Sequence, residues 1–246
     1  MRNIKLTIEY DGTNYHGWQI QPSEPTIQGV IEAALTKMTK TETRITGAGR
    51  TDSGVHAAGQ VANFHTETDI PIGAFQKGLN SLLPKDVVIL EAVEAPLGFN
   101  ARFSAKRRIY EYTILNRSYP SAFWRNRAYF FPEPVDVLAI DHLCQSLVGK
   151  RDFSAFQKAK SDRLNAVCEV FDCRCWRDGD FVYLRVSADA FLRGMVRAIV
   201  GTLLMLRDHP EPFEQLQRIL DARNRSAAGA SVSARGLCLV QVEYDA

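Results

Sequence analysis

Residues 3–10, NIKLTIEY, alternate polar and apolar side chains with period two, which predicts a half-buried strand. The next segment, TIQGVIEAALTKMTK (26–40), changes to helical spacing, with Thr26 placed as its N-cap. Residues 43–49 and 60–67 return to strand patterning. A helix over 72–83 stops at Pro84, and a strand over 86–95 follows. The second half opens on a long strand, 105–116, and then a helix over 134–150 with Gly149 near its end. Residues 166–188 read as a hairpin turning at Asp178-Gly179-Asp180. A strongly apolar helix over 190–207, a second helix over 212–223 and a strand over 236–244 complete the chain. Each half thus has a βαββαβ-like order. The predicted class is α+β: two such halves, 1–105 and 106–246, sharing an extended, mainly antiparallel sheet with flanking helices.

Composition changes this picture little. The 246 residues are 46% hydrophobic and 24% charged, enough chain to bury a core without staples, and a net charge of +2 points to no partner. Cys144, Cys168, Cys173, Cys175 and Cys238 form no C-x-x-C pair, so reduced core thiols are expected rather than disulfides or a zinc site. MRNIKLTIEYDG has no apolar signal-peptide region. The longest apolar run, 198–206, is far short of the roughly 20 residues that span a bilayer. A cytoplasmic protein without membrane contact is the expectation.

Chemistry concentrates in ITGAGRTDSGVHA (45–57). Val55-His56 stand where a P-loop needs Lys-Ser/Thr, no third glycine completes a dinucleotide fingerprint, and Ser53 lacks the G-x-S-x-G elbow. Asp52 and His56 lack a third metal ligand of suitable spacing, so no metal is expected. What remains is Asp52 in a glycine-rich loop between strands. That is either an ordinary turn, which Asp, Ser and Gly favour, or a scaffolded loop presenting one carboxylate. Between 101 and 127, Arg102, Lys106, Arg107, Arg108, Arg117, Arg125 and Arg127 face one acid, Glu111, with Tyr110, Tyr112, Tyr119, Phe123 and Trp124 interleaved. Cations neutralise phosphates and aromatic faces stack on bases, although a solvated strand edge has the same composition. Lys150, Arg151, Lys158, Lys160 and Arg163 form a second basic stretch. Arg197 lies in the most apolar helix, four residues from Arg193 and so on its face. It either snorkels to the surface or seeks a carboxylate.

YDGTNYHGWQ (10–19), GAGRTDSGVHA (47–57), NARFSAKRRIYEY (100–112), FLRGMVRAIVG (191–201) and GLCLVQVEY (236–244) together resemble the bacterial tRNA pseudouridine synthase A family. The resemblance implies that Asp52 is the catalytic aspartate. Arg50 is its neighbour that holds the flipped-out nucleotide, Tyr110 stacks on the target base, and Arg197 pairs with the aspartate. Arg107 and Arg108 join Arg50 and Tyr110 as substrate-binding residues. The implied substrate is uridine on the 3′ side of the anticodon, in the anticodon stem-loop of tRNA. The implied assembly is a homodimer using no metal and no cofactor. His65, Trp18 and Tyr15 are read as structural. Two readings compete: a non-catalytic tRNA-binding or folding protein of the same fold, and a hydrolase built on Ser53 or an Asp52–His56 pair.

Overall fold

In the computed structural model, which describes residues 1–158 and 165–245, the alternation of residues 3–10 becomes β1 (Arg2–Tyr10). Ile4, Leu6 and Ile8 point to one face and are fully buried. In α1 (Ile27–Thr39), Ile27, Ile31 and Leu35 lie buried on one stripe at helical spacing. Thr26 caps this helix by accepting from the Gly29 N–H, as its position before the apolar run predicts. The strand expected over 43–49 shrinks to β2 (Thr46–Gly47). The Ile45 N–H goes to the Glu32 carboxylate on α1, at 3.0 Å, instead of to a neighbouring strand. β3 (His56–Thr66) starts four residues earlier than the pattern suggested, so His56 is a strand residue. α2 (Ile72–Leu82) ends just before Pro84, and β4 (Val87–Ala95) follows. β1 pairs antiparallel with both β3 and β4.

The second half begins with β5 (Ala105–Leu115). β6 (Tyr129–Phe130) is a two-residue strand that no periodicity announces. α3 (Val137–Ser146) is capped by Asp136 and stops short of the expected 150. Gly149, at φ +110°, instead opens β7 (Gly149–Asp152). β8 (Val167–Asp178) and β9 (Phe181–Ala188) form the predicted hairpin, with Gly179 at φ +54° in its turn. α4 is Met195–Leu206 and not 190–207, because Gly194 at φ +72° caps it. α5 (Pro212–Ala222) and β10 (Leu237–Tyr244) close the chain.

The described residues form two compact units, 1–106 with 238–245 and Arg107–Leu237. The last strand, which the patterning assigned to the second half, groups with the first unit through parallel pairing of Cys238 and Leu239 with His56 and Ala57 of β3. In the second unit β5, β9, β8 and β7 pair antiparallel in that order, and only β6 is parallel to its neighbour β5. The class is therefore mixed α+β with mainly antiparallel pairing, as the patterning predicts. No helix among the described residues is long and apolar enough to cross a membrane.

The cysteines are free thiols, and all but Cys238 are buried. The hydrogen bond with Cys173, and burial after it, push the Cys144 thiol up, and burial does the same to Cys175. Thiolate is the reactive form, so native-state alkylation should reach Cys238 at least about tenfold faster than the other four. Peptide mass mapping after timed labelling checks this. Fast labelling of Cys144 or Cys175 would contradict the packing.

Candidate active site

The loop 48–55 joins β2 to β3 and has a defined backbone. The Val55 N–H donates to the Asp52 carbonyl at 3.2 Å, closing a turn in which Gly54 takes φ +77°. Asp52 thus opens the turn with its backbone carbonyl, and the residue is half-buried. Arg50 is exposed, two residues before it. Gly49 accepts from the Gln60 side chain at 2.8 Å. A Cβ at Gly47 would stand 2.5 Å from the Trp18 indole, so that glycine makes room for the ring.

The segment 10–19 grips this loop from the other side. Trp18 N–H donates to the Thr51 carbonyl at 3.1 Å. The Tyr10 and Thr51 hydroxyls lie 2.8 Å apart in the interior, and the Tyr10 and Trp18 rings touch at 6.2 Å between centroids. The Tyr15 carbonyl accepts from Gly54 N–H at 3.3 Å and from the Ser53 hydroxyl at 3.2 Å. Tyr15 is itself tied down by its hydroxyl, which donates to the Asp86 carboxylate at 2.6 Å. Burial and Asp86 push that phenol well above its usual range, so it stays protonated. Trp18 and Tyr15, read from sequence as structural, are so in a specific way, because they fix the backbone on both sides of Asp52.

His56 contributes differently. The Gly12 N–H donates to its Nδ1 at 3.1 Å, while an Asp11 oxygen lies 3.2 Å from the same nitrogen. One nitrogen cannot accept from an amide and donate to a carboxylate at once. Thr13 already engages that Asp11 oxygen through its N–H and hydroxyl, so the acceptor role, with the ring proton on Nε2, fits best. Nδ1 then has no lone pair left for a metal or for a serine proton. Ser53, committed to the Tyr15 carbonyl, does not resemble an activated nucleophile. The hydrolase reading loses its support here.

Within the second unit, Tyr110 lies on β5 opposite Val186, is 7% exposed, and meets Phe191 edge to face at 4.9 Å. Strand alternation puts Arg108 on its face and Arg107 on the other. Arg108 donates to the Asp189 carbonyl at 2.7 Å, whereas the Arg107 guanidinium lies 4.7 Å from the Phe171 ring centroid. Arg197 occupies the first turn of α4, is half-buried, and donates through Nε to the Val232 carbonyl at 2.8 Å. The expected Arg193–Arg197 helical face does not exist, because Arg193 precedes the helix. Gly201 lets the 228–232 segment approach α4: a Cβ there would stand 1.8 Å from the Ala230 carbonyl oxygen. Of the basic residues singled out by the sequence, Lys160 and Arg163 lie outside the described residues. No cluster of three His, Cys, Asp or Glu side chains fit for a metal occurs among the described residues.

Comparison with known proteins gives this geometry a context. A family model described as tRNA pseudouridine synthase matches residues 6–104 and 143–245. The chain is 46% identical over 244 residues to tRNA pseudouridine synthase A 2 of Clostridium perfringens, covering 99% of this chain and 100% of that one. It is 44% identical over 243 residues to tRNA pseudouridine synthase A of Moorella thermoacetica, covering 98% and 99%. The enzyme of the same name from Caldicellulosiruptor saccharolyticus is 43% identical over 244 residues, covering 99% and 100%. The matched regions include both the clamped Asp52 loop and the first turn of α4, and identity of this extent runs nearly end to end, so the chain belongs to the tRNA pseudouridine synthase family.

Proposed function

We propose that this isomerase acts on uridine on the 3′ side of the anticodon, in the anticodon stem-loop of tRNA, with Asp52, Tyr110 and Arg197 as its catalytic set. The carrying observation is the turn at Asp52–Val55, which is braced by backbone and buried side chains while Asp52 itself is only half-buried. The reaction breaks the N1–C1′ bond and forms C5–C1′; C5 gives up its proton and N1 gains one. No electrons are gained or lost overall. One carboxylate therefore suffices, either as a nucleophile toward sugar or base, or as a base that takes a sugar proton. Tyr110 stacks on the target base, and Arg197 is the basic member of the set. Arg50, Arg107 and Arg108 bind substrate. A base drawn from the RNA stack costs a few kcal/mol, and aromatic stacking returns about 1–3 kcal/mol of it. The active assembly is a homodimer in the cytoplasm.

The test uses unmodified tRNA tritiated at uracil C5, incubated with the purified protein alone. Tritium release that stops when the uridines beside the anticodon are replaced supports the reading. Bound tRNA with no release would instead favour the non-catalytic alternative. Tyr110→Phe keeps the ring and loses the hydroxyl. It should bind tRNA within about threefold of wild type, because stacking carries the binding. A filter-binding titration that finds much weaker binding would make the hydroxyl a recognition group.

A further inference from the structure

Asp86 takes no part in the chemistry proposed above, yet the support of the Asp52 loop leads back to it. It sits in the turn between α2 and β4, where the Val87 N–H donates to the Pro84 carbonyl at 3.1 Å. Val87 then pairs with Tyr10 of β1 as the first residue of β4. The proline turn on one side and sheet pairing on the other leave the Asp86 backbone little freedom. From this fixed point the residue grips both ends of a single turn of 3-10 helix, Gly12–Asn14. Just before that turn, the Asp11 N–H donates to the Asp86 carbonyl at 2.9 Å. Just after it, the Tyr15 hydroxyl donates to the Asp86 carboxylate at 2.6 Å. The phenol stays protonated, so the direction of that bond is fixed.

The turn held in this way meets the Asp52 loop at two places. The Gly12 N–H donates to His56 Nδ1, and the Tyr15 carbonyl accepts from the Ser53 hydroxyl and the Gly54 N–H. Ser53 and Gly54 follow Asp52 directly and lie inside the turn that its carbonyl closes. Tyr15 is buried, and its own N–H is committed to the Gly12 carbonyl at 3.0 Å. Its ring is therefore anchored on Asp86 and its carbonyl on the loop. Burial of the ring alone would serve stability. The bond from hydroxyl to carboxylate adds strength and a fixed direction, which is what holding a reacting group in place requires.

We infer that Asp86 is a positioning residue for the isomerisation, setting through Tyr15 where the Asp52 turn stands. The inference rests on the reading of Asp52 as the reacting carboxylate. Single-turnover tritium release from pre-bound tRNA, taken per folded molecule, tests it, with tRNA binding measured in parallel. Asp86→Ala and Tyr15→Phe should each slow release at least about tenfold and leave binding within about threefold of wild type, because a displaced reacting group costs rate, not affinity. The double variant should be within about threefold of the slower single one, since both remove the same bond. Asp86→Asn keeps an oxygen to accept from the hydroxyl and should restore release to within about threefold of wild type. Should Asp86→Ala not fold, Tyr15→Phe, which keeps the buried ring, carries the same test. Asn80→Ala is the control for stability. Asn80 bonds the Ile89 N–H and carbonyl at 2.7 and 2.9 Å, close to the same turn, and its loss should leave release per folded molecule unchanged. Losses that add up in the double variant, or an Asp86→Asn as slow as Asp86→Ala, overturn the inference. So does an Asn80→Ala that is equally slow, or a loss of binding that accounts for the loss of release. Asp52→Ala runs alongside. Full release from it overturns the carboxylate reading itself, whereas full release from Asp86→Ala beside an inert Asp52→Ala overturns this inference alone.

Discussion

Asp52→Ala and Asp52→Asn are each expected to bind unmodified tRNA within about threefold of wild type and to lose more than roughly a thousandfold in tritium release. The two halves of this expectation have separate origins. The turn is closed by the Asp52 carbonyl, and its glycine sits at Gly54. The flanking Thr51 is held by Tyr10 and Trp18, and Ser53 by Tyr15. Removing the carboxylate therefore leaves the loop's backbone supports in place. Binding draws on many phosphate and stacking contacts, so one lost acid changes it little, whereas no neighbouring side chain can replace a missing nucleophile or base. Single-turnover tritium release, with tRNA in complex before the reaction starts, separates the two. Residual release above ~1% of wild type would remove Asp52 from the chemistry and return it to the role of a turn residue.

Much of the scaffold around this site was legible because it obeys local rules. β1 announces itself by period two, and α1 by its stripe and the Thr26 cap. Errors fall where a distant group overrides the local pattern. The Glu32 side chain takes the Ile45 amide and cuts β2 short. Gly149, at φ +110°, opens β7 where the spacing would carry a helix on, and Gly194, at φ +72°, delays the start of α4. The candidate residues divide in the same way. Asp52 stands out in a dense motif and Arg197 in an apolar helix, so both are visible in the sequence. The clamp is not, because its two sides are some thirty-five residues apart and meet only in three dimensions. A signal is nevertheless present. Gly12 and Gly17 punctuate YDGTNYHGWQ, and a Cβ at Gly12 would stand 2.0 Å from the Val55 carbonyl oxygen. Paired glycines in a short segment mark close backbone approach as well as turns.

Gly17→Ala should expose this clamp as part of the active site. Gly17 has φ +88°, where an L side chain is strained by about 1–3 kcal/mol. Its new Cβ would lie 2.5 Å from the Thr51 carbonyl oxygen, 3.1 Å from the Asp52 carbonyl carbon and 3.2 Å from the Ser53 nitrogen. All three are backbone atoms, so no rotamer change relieves the clash. Either the 15–19 segment withdraws, breaking the Trp18–Thr51 hydrogen bond, or Asp52 moves with its loop. Overpacking of this kind adds about 1–3 kcal/mol to the loss of stability. A shift of about 1 Å in a reacting group costs on the order of a hundredfold in rate, and that is the fall expected in single-turnover release from the fraction still folded. Gly73→Ala is the control. It lies in the first turn of α2 with nothing within 4 Å of its new Cβ, and it should be as active as wild type and about 0.5–1 kcal/mol more stable. If Gly17→Ala unfolds at a lower temperature yet keeps full activity per folded molecule, the clamp serves stability alone. If activity falls well beyond the loss of folded protein, segment 10–19 positions the carboxylate.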